Sequence, residues 1–276
     1  MIRTFFHPKL VMPEGDWAPS LGKGAEVLAA LGLSRGYTRA TKAFSNSLCR
    51  VHDLDYVDGV LERQMANGFN DMRQQTVDSL SASVGVMVDA VRWALDRPEE
   101  VVFAPVSGFH HAQYEEAAGF CTFNGLLVAI AEARLKRRVP SVLILDGDAH
   151  YGDGTDALLT QLGWAGVYNL THERPKSVGP GALDRNIWRQ QIRGLLTNRE
   201  WDLVLYQAGA DAHVDDPYAA GYLTDSDWDE RDELVFGLCR AQRFPCVFNL
   251  AGGYNGEKTV QLHARTYRTA ERVYEG

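Results

Sequence analysis

The chain has 276 residues, 45% of them hydrophobic and 23% charged, enough to bury one large core or two small ones. That composition excludes collagen, coiled coil and a disordered chain. Acidic residues outnumber basic ones 36 to 28, for a formal charge of −8, which weighs against nucleic acid as the main partner because phosphate binding needs a basic face.

The start, Met1 to Pro8, lacks the charged and then apolar layout of a secretory signal, and no run of 18 apolar residues exists to cross a membrane. Ser20 is expected to cap a helix over 21–31 that stops at Gly32. Between Thr76 and Leu95, apolar residues recur at Val77, Leu80, Val84, Met87, Val91 and Leu95, the spacing of one buried helical stripe. Residues 101–104 are a short continuous apolar run and predict a strand. A helix over 123–135 follows, apolar almost all round at its start. Runs at 142–145, 203–206 and 246–250 predict further strands, with 166–170 a weaker fifth, and 228–240 and 260–273 read as helices. Continuous apolar strands are buried on both faces, and their alternation with helices predicts an α/β fold. With no repeat and no linker, 1–276 is expected to form a single domain, an open parallel sheet flanked by helices on both faces. Cys49, Cys121, Cys239 and Cys246 are scattered and form no Cys-x-x-Cys pair, which fits a reducing cytoplasm.

The strong strand runs all end in loops rich in glycine and polar residues. These are Gly108-Phe109-His110-His111, Asp146-Gly147-Asp148-Ala149-His150-Tyr151-Gly152-Asp153-Gly154, Gly209-Ala210-Asp211 and Gly252-Gly253-Tyr254-Asn255. An open parallel sheet binds its ligands beyond the strand C-termini, so these loops are expected to converge. Asp148 and His150, two apart, point the same way from an extended segment, and Asp211 joins them from a neighbouring loop. Two carboxylates, one imidazole and an open position make a catalytic zinc site, and without a cation such buried acids are costly. Singly, each motif is weak: an aspartate in a glycine-rich turn is usually a turn former. Together, after successive buried strands, they specify a site. The zincin, serine-hydrolase and phosphate-loop signatures are absent.

With Ala112 and Gly119-Phe120-Cys121 added, these motifs resemble the histone deacetylase and acetylpolyamine amidohydrolase superfamily, over about 103–255. The resemblance implies an arginase-like α/β fold. It implies Asp148, His150 and Asp211 as ligands of one Zn²⁺ per chain, and His110 and His111 as tandem histidines beside the attacking water. Asp146 and Asp153 match the acids that orient those histidines. Tyr254 matches the tyrosine facing the scissile carbonyl, and Gly119 and Phe120 match the wall of the acyl-lysine tunnel. Glu115, Glu116, Asn124 and Gly125 read as scaffold. A structural K⁺ is also implied, held in part by main-chain oxygens of Asp146, Asp148 and His150, with Thr171 out of register for its hydroxyl partner.

The implied reaction removes an acetyl or other acyl group from a lysine side chain, a polyamine or a related amine. Tyr151 stands where members often have a second histidine and is not expected to be a ligand. Residues 51–57 resemble a segment that opens a helix. Asp71 lies where a rim loop often holds substrate, although a solvated loop acid is the simpler reading. The chain is short for the superfamily. The deficit is expected in the loops around the pocket, leaving the mouth shallow or completed by a second copy in a homo-oligomer. Two rival readings are a ureohydrolase-like dimanganese hydrolase and a non-catalytic binding module. Asp146 and Asp153 fit orienting roles better than extra ligand roles, and intact Tyr254, His110 and His111 argue against the module.

Overall fold

Among the described residues seven strands form one sheet in which every neighbouring pair runs parallel. They are β1 (Ile2–Phe6), β2 (Thr38–Arg39), β3 (Val101–Ala104), β4 (Val142–Asp146), β5 (Val167–Leu170), β6 (Leu203–Gln207) and β7 (Cys246–Asn249), in the order β2-β1-β3-β7-β6-β4-β5. The computed structural model describes residues 2–11, 19–171, 185–218 and 222–276.

The five expected strands are present, and β3, β4, β6 and β7 are buried along their whole length, as continuous apolar runs require. β1 and β2 were not anticipated. β1 carries Arg3, whose guanidinium lies 4.4 Å from the centroid of the Trp93 ring, and this masks the strand as a mixed sequence. β2 is a two-residue edge strand, too short to leave a pattern.

The helices are α1 (Pro19–Ala30), α2 (Ser45–Leu48), α3 (Leu54–Leu61), α4 (Gln74–Asp96), α5 (Gly125–Lys136), α6 (Asp153–Leu162), α7 (Arg185–Asn198), α8 (Asp225–Gln242) and α9 (Gly256–Glu275). Ser20 is not the cap of α1: Pro19, whose fixed φ suits a first helical position, already opens the helix. α8 starts earlier than its apolar pattern because Thr224 and Asp227 form a reciprocal capping box. Residues 51–57 do open a helix, with the Asp53 carboxylate accepting from the Asp55 and Tyr56 amides. α6 was missed because its Asp-Gly-Thr-Asp start reads as a turn, and α7 because its sequence is largely polar.

α4 packs on α5 and on β1, β3 and β7, while α9 packs on β1 and β3 and carries α1 and α8 beside it. The rings of Phe103 and Phe248 stack at 4.7 Å in the core, and Tyr267 of α9 and Phe236 of α8 close on them at 5.3 and 5.1 Å. Among the described residues, no helix is long and apolar enough to cross a membrane. The strands β3, β7, β6 and β4 are consecutive neighbours in the sheet. Their C-terminal loops, distant in sequence, therefore lie side by side.

Candidate active site

The loop after β4 carries two of the three expected ligands. The Asp148 amide donates to Asp146 Oδ1 at 3.1 Å and the His150 amide to Asp148 Oδ1 at 3.0 Å, which curls the segment onto itself. His150 Nδ1 then lies 3.1 Å from Asp148 Oδ1 and 2.8 Å from Asp211 Oδ2. One donor atom from each of Asp148, His150 and Asp211 falls within 4.8 Å of the others. Both carboxylates are fully buried, at 2% and 0% exposure, while His150 is half-buried. The Gly252 amide donates to Asp148 Oδ2 at 2.8 Å and the Ala149 amide to Asp211 Oδ1 at 3.0 Å, so each carboxylate keeps a fixed orientation.

Two buried carboxylates this close repel. Burial and the Asp148 charge push the Asp211 carboxyl up to about 7. Asp148, which burial alone would raise, is held well below the ordinary range by His110 and His150. A divalent cation is the counter-charge that lets both stay ionised, and an O,O,N donor set around one open position suits zinc. The residues therefore fit the implied ion.

His110 and His111 follow β3, their ring centroids 4.0 Å apart, and each is tied to its own acid. His110 Nδ1 lies 2.7 Å from Asp146 Oδ2, a fully buried pair. His111 Nδ1 lies 2.6 Å from Asp153 Oδ1, at the first turn of α6, where the helix dipole favours a carboxylate. The two rings differ electrostatically. Burial opposes a proton on His110, but Asp146, Asp148 and Asp211 outweigh it and bring the imidazolium up to about 9. Burial and the neighbouring His110 lower His111 below its ordinary value, despite Asp153. The surrounding acids thus favour a proton on His110, while burial and His110 disfavour one on His111.

Tyr254 follows β7, its ring centroid 6.4 Å from that of Phe120. Burial and the charges of Asp148 and Asp211 raise its phenol above the ordinary value, so it remains a neutral donor. Phe120 takes a left-handed backbone, φ +62, a strained conformation of the kind that clusters at functional sites. Gly119 before it has φ +51, and a Cβ there would lie 2.3 Å from the His111 ring, so only glycine fits. His110, His111, Gly119, Phe120, Asp148 and Tyr254 all line one cavity.

Other expectations resolve individually. Asn124 is scaffold: it caps α5 through the Leu127 amide and donates to Thr155 Oγ1 at 2.9 Å. The Tyr151 hydroxyl donates to Asp156 Oδ2 at 2.6 Å, which ties it to α6. Thr171 Oγ1 accepts from the Gly152 amide at 2.8 Å. Asp71 is engaged within its own loop by Asn67, Arg73 and Thr76, an arrangement that serves the start of α4.

Lys23 and Gln207 line or brace the site and were not anticipated. Lys23 of α1 is buried, lines the same cavity and donates to the Ala251 carbonyl. Burial brings its ammonium down to about 8, with Asp148, Asp211 and Asp216 holding it up. Its one sequence signal is a place one turn before Val27 on the buried face of α1. Gln207 ends the otherwise apolar β6, accepting from the Phe109 amide at 3.1 Å and donating to Asp146 Oδ1 at 3.0 Å. It thereby braces the histidine loop and the acid that orients His110.

Comparison with known proteins agrees with this geometry. The fold is that of an acetylpolyamine aminohydrolase from Burkholderia pseudomallei, with a TM-score of 0.77 at 17% identity, covering 99% of both chains. An uncharacterised protein of Picosynechococcus is 31% identical over 183 residues, 60% of this chain and 61% of its own length. Histone deacetylase 2 of Arabidopsis thaliana is 29% identical over 203 residues, 66% of this chain and 51% of its own. The chain thus spans between half and two thirds of the length of these two relatives. The histone deacetylase domain profile matches residues 22–187 and 181–270, which include every ligand, both histidines and Tyr254. The chain belongs to the histone deacetylase family.

Proposed function

We propose that the chain is a zinc-dependent amide hydrolase that removes an acetyl or other acyl group from a lysine side chain, a polyamine or a related amine. The observation that carries this reading is the cluster of Asp148, His150 and Asp211 beside a cavity that Asp148, Tyr254 and two histidines with separate acids line. When bound, zinc would polarise the amide carbonyl and acidify a water.

The protein's own groups supply the rest. His111, neutral and bound through Nδ1 to Asp153, accepts the proton of the attacking water at Nε2 and returns one to the leaving amine. His110, held charged by Asp146, adds positive potential beside the developing oxyanion. Tyr254 donates a hydrogen bond from its phenol to that oxyanion and stays neutral, and the Phe120 ring walls the acyl-bearing stem. Main-chain oxygens of Asp146, Asp148 and His150 are the proposed cradle of a structural K⁺.

The dimanganese alternative would draw on Asp146 and Asp153, but these already hold His110 and His111. Metal analysis together with Tyr254→Phe tests the reading. One zinc per chain and a fall in turnover of roughly 10²–10³-fold on an acetylated amine are expected. Two manganese ions per chain, or near-normal turnover of Tyr254→Phe, would sink it.

A further inference from the structure

Tyr254 sits at the end of a Gly252-Gly253 pair, and Gly253 has φ +135, a backbone that side chains rarely adopt. Two glycines next to a residue whose hydroxyl must meet a reacting oxygen are a source of conformational freedom. Something outside the turn must remove it, because small misplacements of a catalytic group cost large factors in rate.

The loop after Asp211 provides the constraint. It contains two consecutive aspartates with different environments. Asp215 is 55% exposed at its side chain and faces Lys258 at 3.3 Å and His213 at 3.5 Å. Asp216 is buried, at 7% exposure. Its Oδ2 accepts from the Tyr254 amide at 2.7 Å, and its Oδ1 accepts from the Tyr218 amide at 3.0 Å. The Tyr218 ring in turn meets the Tyr254 ring edge to face, with centroids 5.3 Å apart and planes at 86°. The Asp216 amide donates to the His213 carbonyl at 3.0 Å, which anchors the carboxylate in its own loop. A carboxylate accepting from backbone amides makes strong, short, directional bonds, and burial keeps water from replacing them.

The geometry points to Asp216 as the positioning residue for Tyr254, an inference that rests on the oxyanion role proposed above. One carboxylate fixes the backbone of the donor tyrosine and the backbone of the aromatic residue packed on its ring. It also ties that turn to the loop that carries Asp211. Two further bonds lace the same loops, from the Ala210 amide to the Gly252 carbonyl at 2.8 Å and from Asn255 Nδ2 to the Asp215 carbonyl at 3.0 Å. The loops stay together without Asp216; what it adds is the placement of Tyr254 between them. Asp216 touches no reacting atom, so its effect must pass through Tyr254.

The test is a double-mutant cycle on the metal-loaded, full-length chain, with Asp216→Ala, Tyr254→Phe and the pair, assayed on an acetylated lysine peptide and for bound zinc. Asp216→Ala alone should lower kcat by roughly 10–100-fold with KM changed less than about twofold and zinc content equal to the parent's. In the Tyr254→Phe background the same change should cost less than about twofold, because the hydroxyl it positions is gone. Asp216→Asn, which keeps acceptor oxygen, should recover part of kcat, and it serves the cycle if the alanine variant does not fold. An unchanged kcat, full additivity with Tyr254→Phe, or a loss that follows zinc content overturns the inference. Should Tyr254→Phe itself keep normal turnover, the oxyanion role fails first and takes this inference with it; a damaged Tyr254→Phe beside an intact Asp216→Ala rejects Asp216 alone.

Discussion

Gly252→Ala tests the metal centre where the structure leaves least room. A Cβ at position 252 would lie 2.5 Å from Asp148 Oδ2, and equally 2.5 Å from both Cγ and Oδ2 of Asp211. Contact at optimal separation needs about 3.5 Å, so the methyl intrudes by about 1 Å on both ligand carboxylates at once. Productive sites tolerate about 0.5 Å. Relief is available only by moving the carboxylates or by moving the strand-end backbone. The second route stretches the Gly252 amide bond to Asp148 Oδ2, now 2.8 Å, so both routes disturb a ligand.

The expected result is zinc affinity weakened roughly 10–100-fold, about 1.4–2.7 kcal/mol, and turnover at saturating zinc lower by about 10²-fold. Affinity is read by titration against a competing chelator, with near-ultraviolet circular dichroism as the check on fold. Gly237→Ala in α8 is the matched comparison. Its Cβ meets nothing within 4 Å, so it should stabilise the protein by about 0.4–1 kcal/mol and leave zinc binding alone. Zinc affinity of a folded Gly252→Ala protein within twofold of the parent would refute the reasoning, because it would mean that Asp148 and Asp211 are not held where a ligand pair must be.

Three other perturbations probe the surroundings. Asp232 is buried and accepts from Tyr206 Oη at 2.5 Å, Thr266 Oγ1 at 2.6 Å and Arg231 Nε at 2.9 Å, and the 1%-exposed Arg231 also donates to the Gly209 carbonyl at 3.2 Å, beneath the Asp211 loop. Asp232→Ala strands that guanidinium and should cost about 3–5 kcal/mol in urea unfolding; a loss under about 1 kcal/mol contradicts the assignment. Tyr151→Phe should leave zinc affinity and turnover within twofold, since its hydroxyl serves Asp156, and a tenfold loss of zinc affinity would make it a participant in the metal site. Asp78 has its carboxyl lowered from 3.8 to about 2, mainly by Lys42 and also by Lys9. A depressed acid stabilises the fold above its unfolded value and loses that contribution as pH falls through its folded one. Asp78→Asn should therefore flatten the stability profile between about pH 4 and pH 2, and an unchanged slope there counts against the pair.

The site was legible in the sequence because its residues follow strands that are themselves legible. Leu-Val-Leu-Tyr and Val-Leu-Ile-Leu could be nothing but buried, and a parallel sheet gathers whatever follows such strands at one edge. Illegible were the groups whose role depends on which distant segment packs against them. Gln207 is a single polar letter after an apolar run, yet it braces Asp146 from the neighbouring strand. Lys23 looks like solvated helix surface until α1 is laid against the strand ends and the Ala251 carbonyl accepts its hydrogen bond. Asp215 and Asp216 are identical adjacent letters, one exposed and one buried. Residue type states the chemistry available; the tertiary contact states whether it is used.

The same distinction alters what the formal charge of −8 can say about partners. Among the described residues seven carboxylates are buried, Glu132, Asp146, Asp148, Asp211, Asp216, Asp227 and Asp232, against two buried cations, Lys23 and Arg231. Among these residues the buried carboxylates thus outnumber the buried Lys and Arg by five, and they are engaged with histidines, backbone amides, buried hydroxyls and the proposed ligand positions of a divalent ion. A buried acid still contributes to the field outside the protein, so the formal charge alone does not set how strongly a cation is drawn. On the proposed function, contacts at the mouth are where acylated amines would be told apart, and the rings of Phe120, Tyr254 and Tyr218 stand exposed there beside one another.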